Sequence, residues 1–134
     1  MVLFEIAKAR YLVYAIGKNE RLCPLLDFLA SVGSNLRKDS DRILALLERV
    51  SQKGPPRITD ISHQIKGDLF EFIQGRLRVL WFYDEGRMVI CTQGFVKKAR
   101  KTPSAEIEKA ISLKENYLQE KRRGALKIIK RESI

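Results

Sequence analysis

Residues 69–95 read LFEFIQGRLRVLWFYDEGRMVICTQGF, three apolar runs separated by two short polar turns. The runs are Leu69–Ile73, Leu77–Asp84 and Met88–Phe95, rich in the β-branched and aromatic residues that suit a pleated, half-buried surface. Gln74-Gly75-Arg76 and Asp84-Glu85-Gly86-Arg87 each offer a glycine where a hairpin loop needs positive φ. The stretch predicts an antiparallel β-meander. Its second and third strands are apolar on both faces, which places them centrally, with helices covering at least one face.

Upstream, the period changes from two to between three and four. Pro24 suits a first helical position, Leu25, Phe28, Leu29 and Val32 repeat at helical spacing, and Gly33 offers a stop. A second helix is expected from about Asn35 to Gln52, with Leu36, Ile43, Leu47 and Val50 on one stripe, ended by Gly54-Pro55-Pro56. Val2–Ile6 and Tyr11–Ile16 are β-prone, as one broken strand or as a hairpin. Residues 57–68 read as a loop or irregular segment ending at Lys66-Gly67-Asp68.

Downstream, a last helix is expected from Thr102-Pro103. Thr102 suits a cap, Pro103 suits the first turn, and Glu106 and Glu108 complement the helix dipole. Ile107, Ala110, Ile111, Tyr117 and Leu118 form its apolar stripe. The basic tail Ala125–Ile134 either frays or packs on a partner. The fold class is α+β: a meander with an N-terminal strand or strands, two N-terminal helices and a C-terminal helix. One domain is expected over residues 1–134, with 1–10 as an extension.

Composition narrows the class. An apolar share of 45% argues for a packed core, and no apolar run approaches the ~20 residues of a membrane helix. Glu5, Lys8 and Arg10 break up the N-terminal apolar residues, unlike a signal peptide, so a cytoplasmic setting is the simplest expectation. Cys23 and Cys91 lie far apart and His63 is the only histidine, which leaves no conventional zinc spacing; no metal or cofactor is expected. Cys91 reads as a buried small hydrophobe.

Charge is the most informative number. Of the net +10, residues 97–134 carry +7, with 12 Lys/Arg against 5 Asp/Glu. Such a field draws polyanions, RNA above all. A solvated face or tail would carry the same count. The run Lys97-Lys98-Ala99-Arg100-Lys101 leaves a central strand, where a rigid sheet can aim cations at phosphates. Arg78, inside the apolar run Leu77–Phe82, must either line a cleft or pair with a carboxylate such as Glu71. His63 in a polar loop has the chemistry of a base, although a lone histidine is more often incidental. Tyr83, Tyr117 and Trp81 have rings that stack on bases, but their spacing favours core packing.

Together these residues form a pattern. Lys66-Gly67-Asp68-Leu69-Phe70-Glu71-Phe72, Leu77-Arg78-Val79-Leu80-Trp81-Phe82, Gly86-Arg87, Gly94-Phe95-Val96-Lys97-Lys98 and Lys101-Thr102-Pro103 resemble the RelE/ParE superfamily. The resemblance is to its phage-derived HigB-like branch of type II toxin–antitoxin pairs. Leu25–Leu29 and Ile43–Val50 extend it, so that it covers about Tyr11 to Lys121. It implies a compact toxin that cuts messenger RNA on the ribosome and is neutralised by a helix-turn-helix antitoxin. The implied chemistry is attack of a ribose 2′-hydroxyl on the adjacent phosphate, without metal. Residue by residue it carries over Arg78, Lys97 and Lys98 as catalytic residues and, more weakly, Lys66 and Lys101 as RNA contacts; Glu71 joins the first set as a candidate and Arg76 and Arg100 the second. Ile73, Leu77 and Gln93 depart from the branch, where a basic residue, a tyrosine and a histidine are usual.

Those departures leave a second class of function open: a non-catalytic binding module, either gyrase-directed like ParE relatives or an antitoxin-binding co-repressor. A third reading has the C-terminal tail binding nucleic acid nonspecifically, with no site on the sheet.

Overall fold

A computed structural model describes residues 1–130 of the chain; 131–134, the end of the basic tail, lie outside the described residues. The meander is present as β4 (Leu69–Gln74), β5 (Leu77–Asp84) and β6 (Met88–Val96). Gly75 and Arg76 are the two residues between β4 and β5, and Gly75 alone of them has positive φ, +58°. This is the type II′ arrangement, whose twist matches that of the strands. A side chain at Gly75 would strike the Asp39 carboxylate, so the turn is fixed by packing as well as by backbone preference.

Among the described residues, the meander lies within a seven-stranded sheet that also holds β1 (Val2–Lys8), β2 (Leu12–Gly17), β3 (Ser62–Lys66) and β7 (Lys127–Ile129), ordered β3-β4-β5-β6-β2-β1-β7. The N-terminal segments resolve as an antiparallel hairpin, β1 (Val2–Lys8) and β2 (Leu12–Gly17), and β2 joins β6 in parallel. Residues 1–10 therefore contribute a strand with Val2, Leu3, Ile6 and Ala7 buried. One reading needs correction. Residues 57–68 are not all loop, because Ser62–Lys66 form edge strand β3 against β4. In the described part of the tail, Lys127–Ile129 form β7, parallel to β1.

Helices α1 (Pro24–Ser31) and α2 (Arg37–Lys53) cover one face, joined by a 3-10 turn at Ser34–Leu36. The last carbonyls of α1 lack helical partners, and α2 supplies them: Ser40 Oγ donates to Leu29 O at 3.0 Å, and Arg37 donates to Leu29 O and Val32 O. Leu25, Leu29, Ile43, Leu47 and Val50 meet Val79, Trp81, Val89 and Cys91 in the main core. Helix α3 (Ser104–Arg122) covers the opposite face, packing Ala110, Leu113 and Tyr117 on Leu80, Phe82 and Ile90. Both sheet faces are thus covered, which explains the doubly apolar central strands. Cys23 and Cys91 are buried thiols, and burial pushes both thiols up, as expected of inert core residues. No described helix is long and apolar enough to cross a membrane.

Asp84, at the end of β5, ties α3 to the sheet by accepting bonds from Tyr117 Oη and from Lys121 Nζ at 3.0 Å. Burial pushes the Asp84 carboxyl up, but these bonds outweigh it and hold the group below its ordinary value. A depressed carboxylate stabilises the fold above its unfolded pKa, and that contribution is lost as pH falls through the folded value. Asp84→Ala is expected to cost roughly 2 kcal/mol near neutral pH. In urea melts, the gap between variant and wild type should close at acid pH; an unchanged gap would show that the charge is not responsible.

Candidate active site

Alternation along β4 and β5 puts Glu71, Arg78 and Leu80 on the face covered by α3. Glu71 pairs with Leu80 across one side and with His63 of β3 across the other. Opposite Leu80, strand β6 carries one extra residue: Val79 pairs with Gly94 and Trp81 with Cys91. This bulge returns Phe95 to the α3 face, opposite Arg78, and aims the loop after Val96 across that end of the sheet. Gly94 lies against the ring of Phe28, with no room for a Cβ, so α1 abuts the strand where the basic loop begins.

The Glu71 carboxylate is fully buried and is the centre of the cluster. His63 Nε2 lies 3.4 Å and Arg78 Nε 3.6 Å from its Oε1, and Thr102 Oγ1 donates to Oε2 at 2.8 Å. His63 Nδ1 is 3.1 Å from Thr59 O, so both ring nitrogens face an acceptor, Thr59 O on one side and the Glu71 carboxylate on the other. The imidazole is one-third exposed. Arg78, 12% exposed, donates through Nη1 to Gly75 O at 2.7 Å and Leu77 O at 3.0 Å. Burial lowers the Arg78 pKa and the Glu71 charge opposes that, leaving a guanidinium cation. Of the two roles open to it in the sequence, Arg78 takes that of the partner of Glu71.

Thr102 is the residue that the sequence misdirected. The cap position of α3 is Pro103, which makes no side-chain bond, and the Thr102 hydroxyl reaches Glu71 instead. That single contact ties the loop 97–101 to the carboxylate. The role of His63 was hidden for a different reason. Its position opposite Glu71 depends on β3, a strand with only two half-buried residues, His63 and Ile65, beyond buried Ser62. Gln93 is buried and donates to Glu106 O at 2.8 Å, fastening the start of α3 to β6.

The basic residues are spread over four places. Lys97 leaves β6 beside the β4–β5 turn, its N–H donating to Arg76 O at 2.8 Å, so Arg76, Arg78 and Lys97 gather at that turn. Arg76 and Lys98 line an open cleft with Phe28, Asn35 and Gly94. Arg100 and Lys101 are exposed on the loop. Lys66 stands apart, lining another cleft with Ile111 and Lys114. Among the described residues, no three His, Cys, Asp or Glu side chains are grouped to hold a metal ion.

The model of the family described as Phage derived protein Gp49-like (DUF891) matches residues 34–115. That span takes in α2, β3 to β6 and most of α3, and it contains His63, Glu71, Arg78, Lys97, Lys98 and Thr102. No curated protein matches the chain. With more than half its length inside that match, the acidic–basic cluster included, the chain belongs to the Gp49-like phage-derived family, a RelE/toxin-like family.

Proposed function

We propose that this protein is the toxin of a HigB-like toxin–antitoxin pair, an endoribonuclease that cuts messenger RNA on the ribosome. The observation that carries this reading is the buried Glu71, which holds Arg78, His63 and, through Thr102, the basic loop around one point. In the reaction, the 2′-oxygen bonds to phosphorus and the bond to the 5′-oxygen breaks, leaving a 2′,3′-cyclic phosphate and a 5′-hydroxyl. Negative charge grows on the phosphoryl oxygens, where Arg78, Lys97 and Lys98 stabilise it. The 2′-hydroxyl proton passes to a solvent water and a loop ammonium protonates the leaving oxygen, while His63, with Nε2 on Glu71 and Nδ1 on Thr59 O, helps to hold the cluster in place. Glu71, being buried, acts by positioning. Arg76, Arg100, Lys101 and Lys66 contact phosphates further along the strand, and a helix-turn-helix antitoxin neutralises the toxin.

Induction of the wild type should arrest growth and create new mRNA 5′ ends, and Arg78→Ala with Lys97→Ala should do neither. Equal arrest by both proteins would overturn the assignment. The complete burial of Glu71 favours one competitor, a binding module without catalysis. Inhibition of gyrase supercoiling with no new 5′ ends would select it.

A further inference from the structure

We infer that the chain has a second nucleic-acid surface, a base-stacking platform for single-stranded RNA centred on Tyr83, on the sheet face opposite Arg78 and Glu71. The side chain of Tyr83 follows Val79 and Trp81 along the α1/α2 face of β5, and Tyr83 is 45% exposed. Its surroundings are aromatic. Phe70 and Trp81 meet the Tyr83 ring edge-on at 5.6 and 4.9 Å, and Trp81 itself is stacked between Phe70 and Phe72 at 4.7 and 4.6 Å. A ring held this way is fixed before any ligand arrives, so little side-chain entropy is lost on stacking.

The platform is flanked by cations. Arg57 is close enough to lower the Tyr83 pKa, although burial, the largest influence, and Tyr11 together leave it raised. Arg87 lies 5.8 Å over the ring of Tyr11, which packs against Gly54 beside the same loop. Of the neighbouring acids, Glu85 is engaged by Lys121, and Asp60 is exposed on the loop. An exposed ring bordered by guanidinium groups matches the alternation of base and phosphate along a single strand. A duplex, with its bases already stacked on one another, has no face to offer the ring.

The surface is independent of cleavage, and its test avoids cleavage. The full-length wild type would be titrated into a labelled 2′-O-methyl oligoribonucleotide, which lacks the nucleophile, with a duplex of equal length as comparison. Tyr83→Ala should weaken single-strand binding about 5- to 100-fold and leave duplex binding unchanged. Tyr83→Phe, which keeps the ring, should bind within about twofold of wild type by the same measure. Arg57→Ala should reduce the salt slope by about 0.7. Binding by Tyr83→Ala within twofold of wild type would overturn the proposal, as would an equal loss on the duplex. Failure of the nuclease assignment would appear in the 5′-end assay and leave this titration readable.

Discussion

Glu71→Ala is expected to destabilise the fold by about 3–5 kcal/mol, because it leaves the Arg78 cation largely buried without its counter-charge. The Thr102 hydroxyl loses its acceptor at the same time, which frees the loop before α3. For a chain of 134 residues, a loss of that size lowers the melting temperature by roughly 10–20 °C. The control is an apolar pair, Glu71→Leu with Arg78→Met. Removing both charges removes the imbalance, so the double variant should melt well above Glu71→Ala while remaining inactive. A double variant as unstable as the single one would locate the stability in packing and refute the electrostatic account.

Arg78→Lys should separate charge from geometry at the same site. The lysine keeps the cation but loses the planar fork, one end of which spans Gly75 O and Leu77 O while Nε faces Glu71. If Arg78 stabilises the developing phosphoryl charge as proposed, single-turnover cleavage of RNA should fall roughly 10²–10³-fold. Lys97 and Lys98 lie on a loop and cannot replace a group aimed by a strand. A rate within a few-fold of wild type would remove Arg78 from the transition state and leave it a structural role.

The meander, the two helices before it and the helix after it were legible because each writes its own period into its residues. Leu25, Leu29, Ile43, Leu47 and Val50 recur at helical spacing, and those positions are buried. Strand β3 was not legible. An edge strand gains most of its order from hydrogen bonds to a neighbour, and Ser62-His63-Gln64-Ile65-Lys66 carries too little apolar pattern to announce it. Strand β7 was hidden similarly, since three residues pairing with β1 from the far end of the chain leave no local signature. Thr102 did carry a signal, ahead of a proline and an acidic first turn, but a hydroxyl that can cap a helix can as well satisfy a buried carboxylate.

By itself, then, the sequence determined the α+β class, the order of most elements, the basic character of the segment after β6, and Arg78 with Glu71 as a candidate pair. These follow from periodicity, turn chemistry and charge, all of which act over a few residues. Tertiary structure alone decided that the N-terminal hairpin enters the sheet beside β6, that His63 and Thr102 join Glu71, and that Tyr83 faces solvent while Trp81 and Tyr117 do not. Those outcomes depend on which distant backbones pair and which faces other elements cover. A buried carboxylate takes whatever donors the finished sheet brings to it, and their identity is set by register across strands rather than by spacing along the chain.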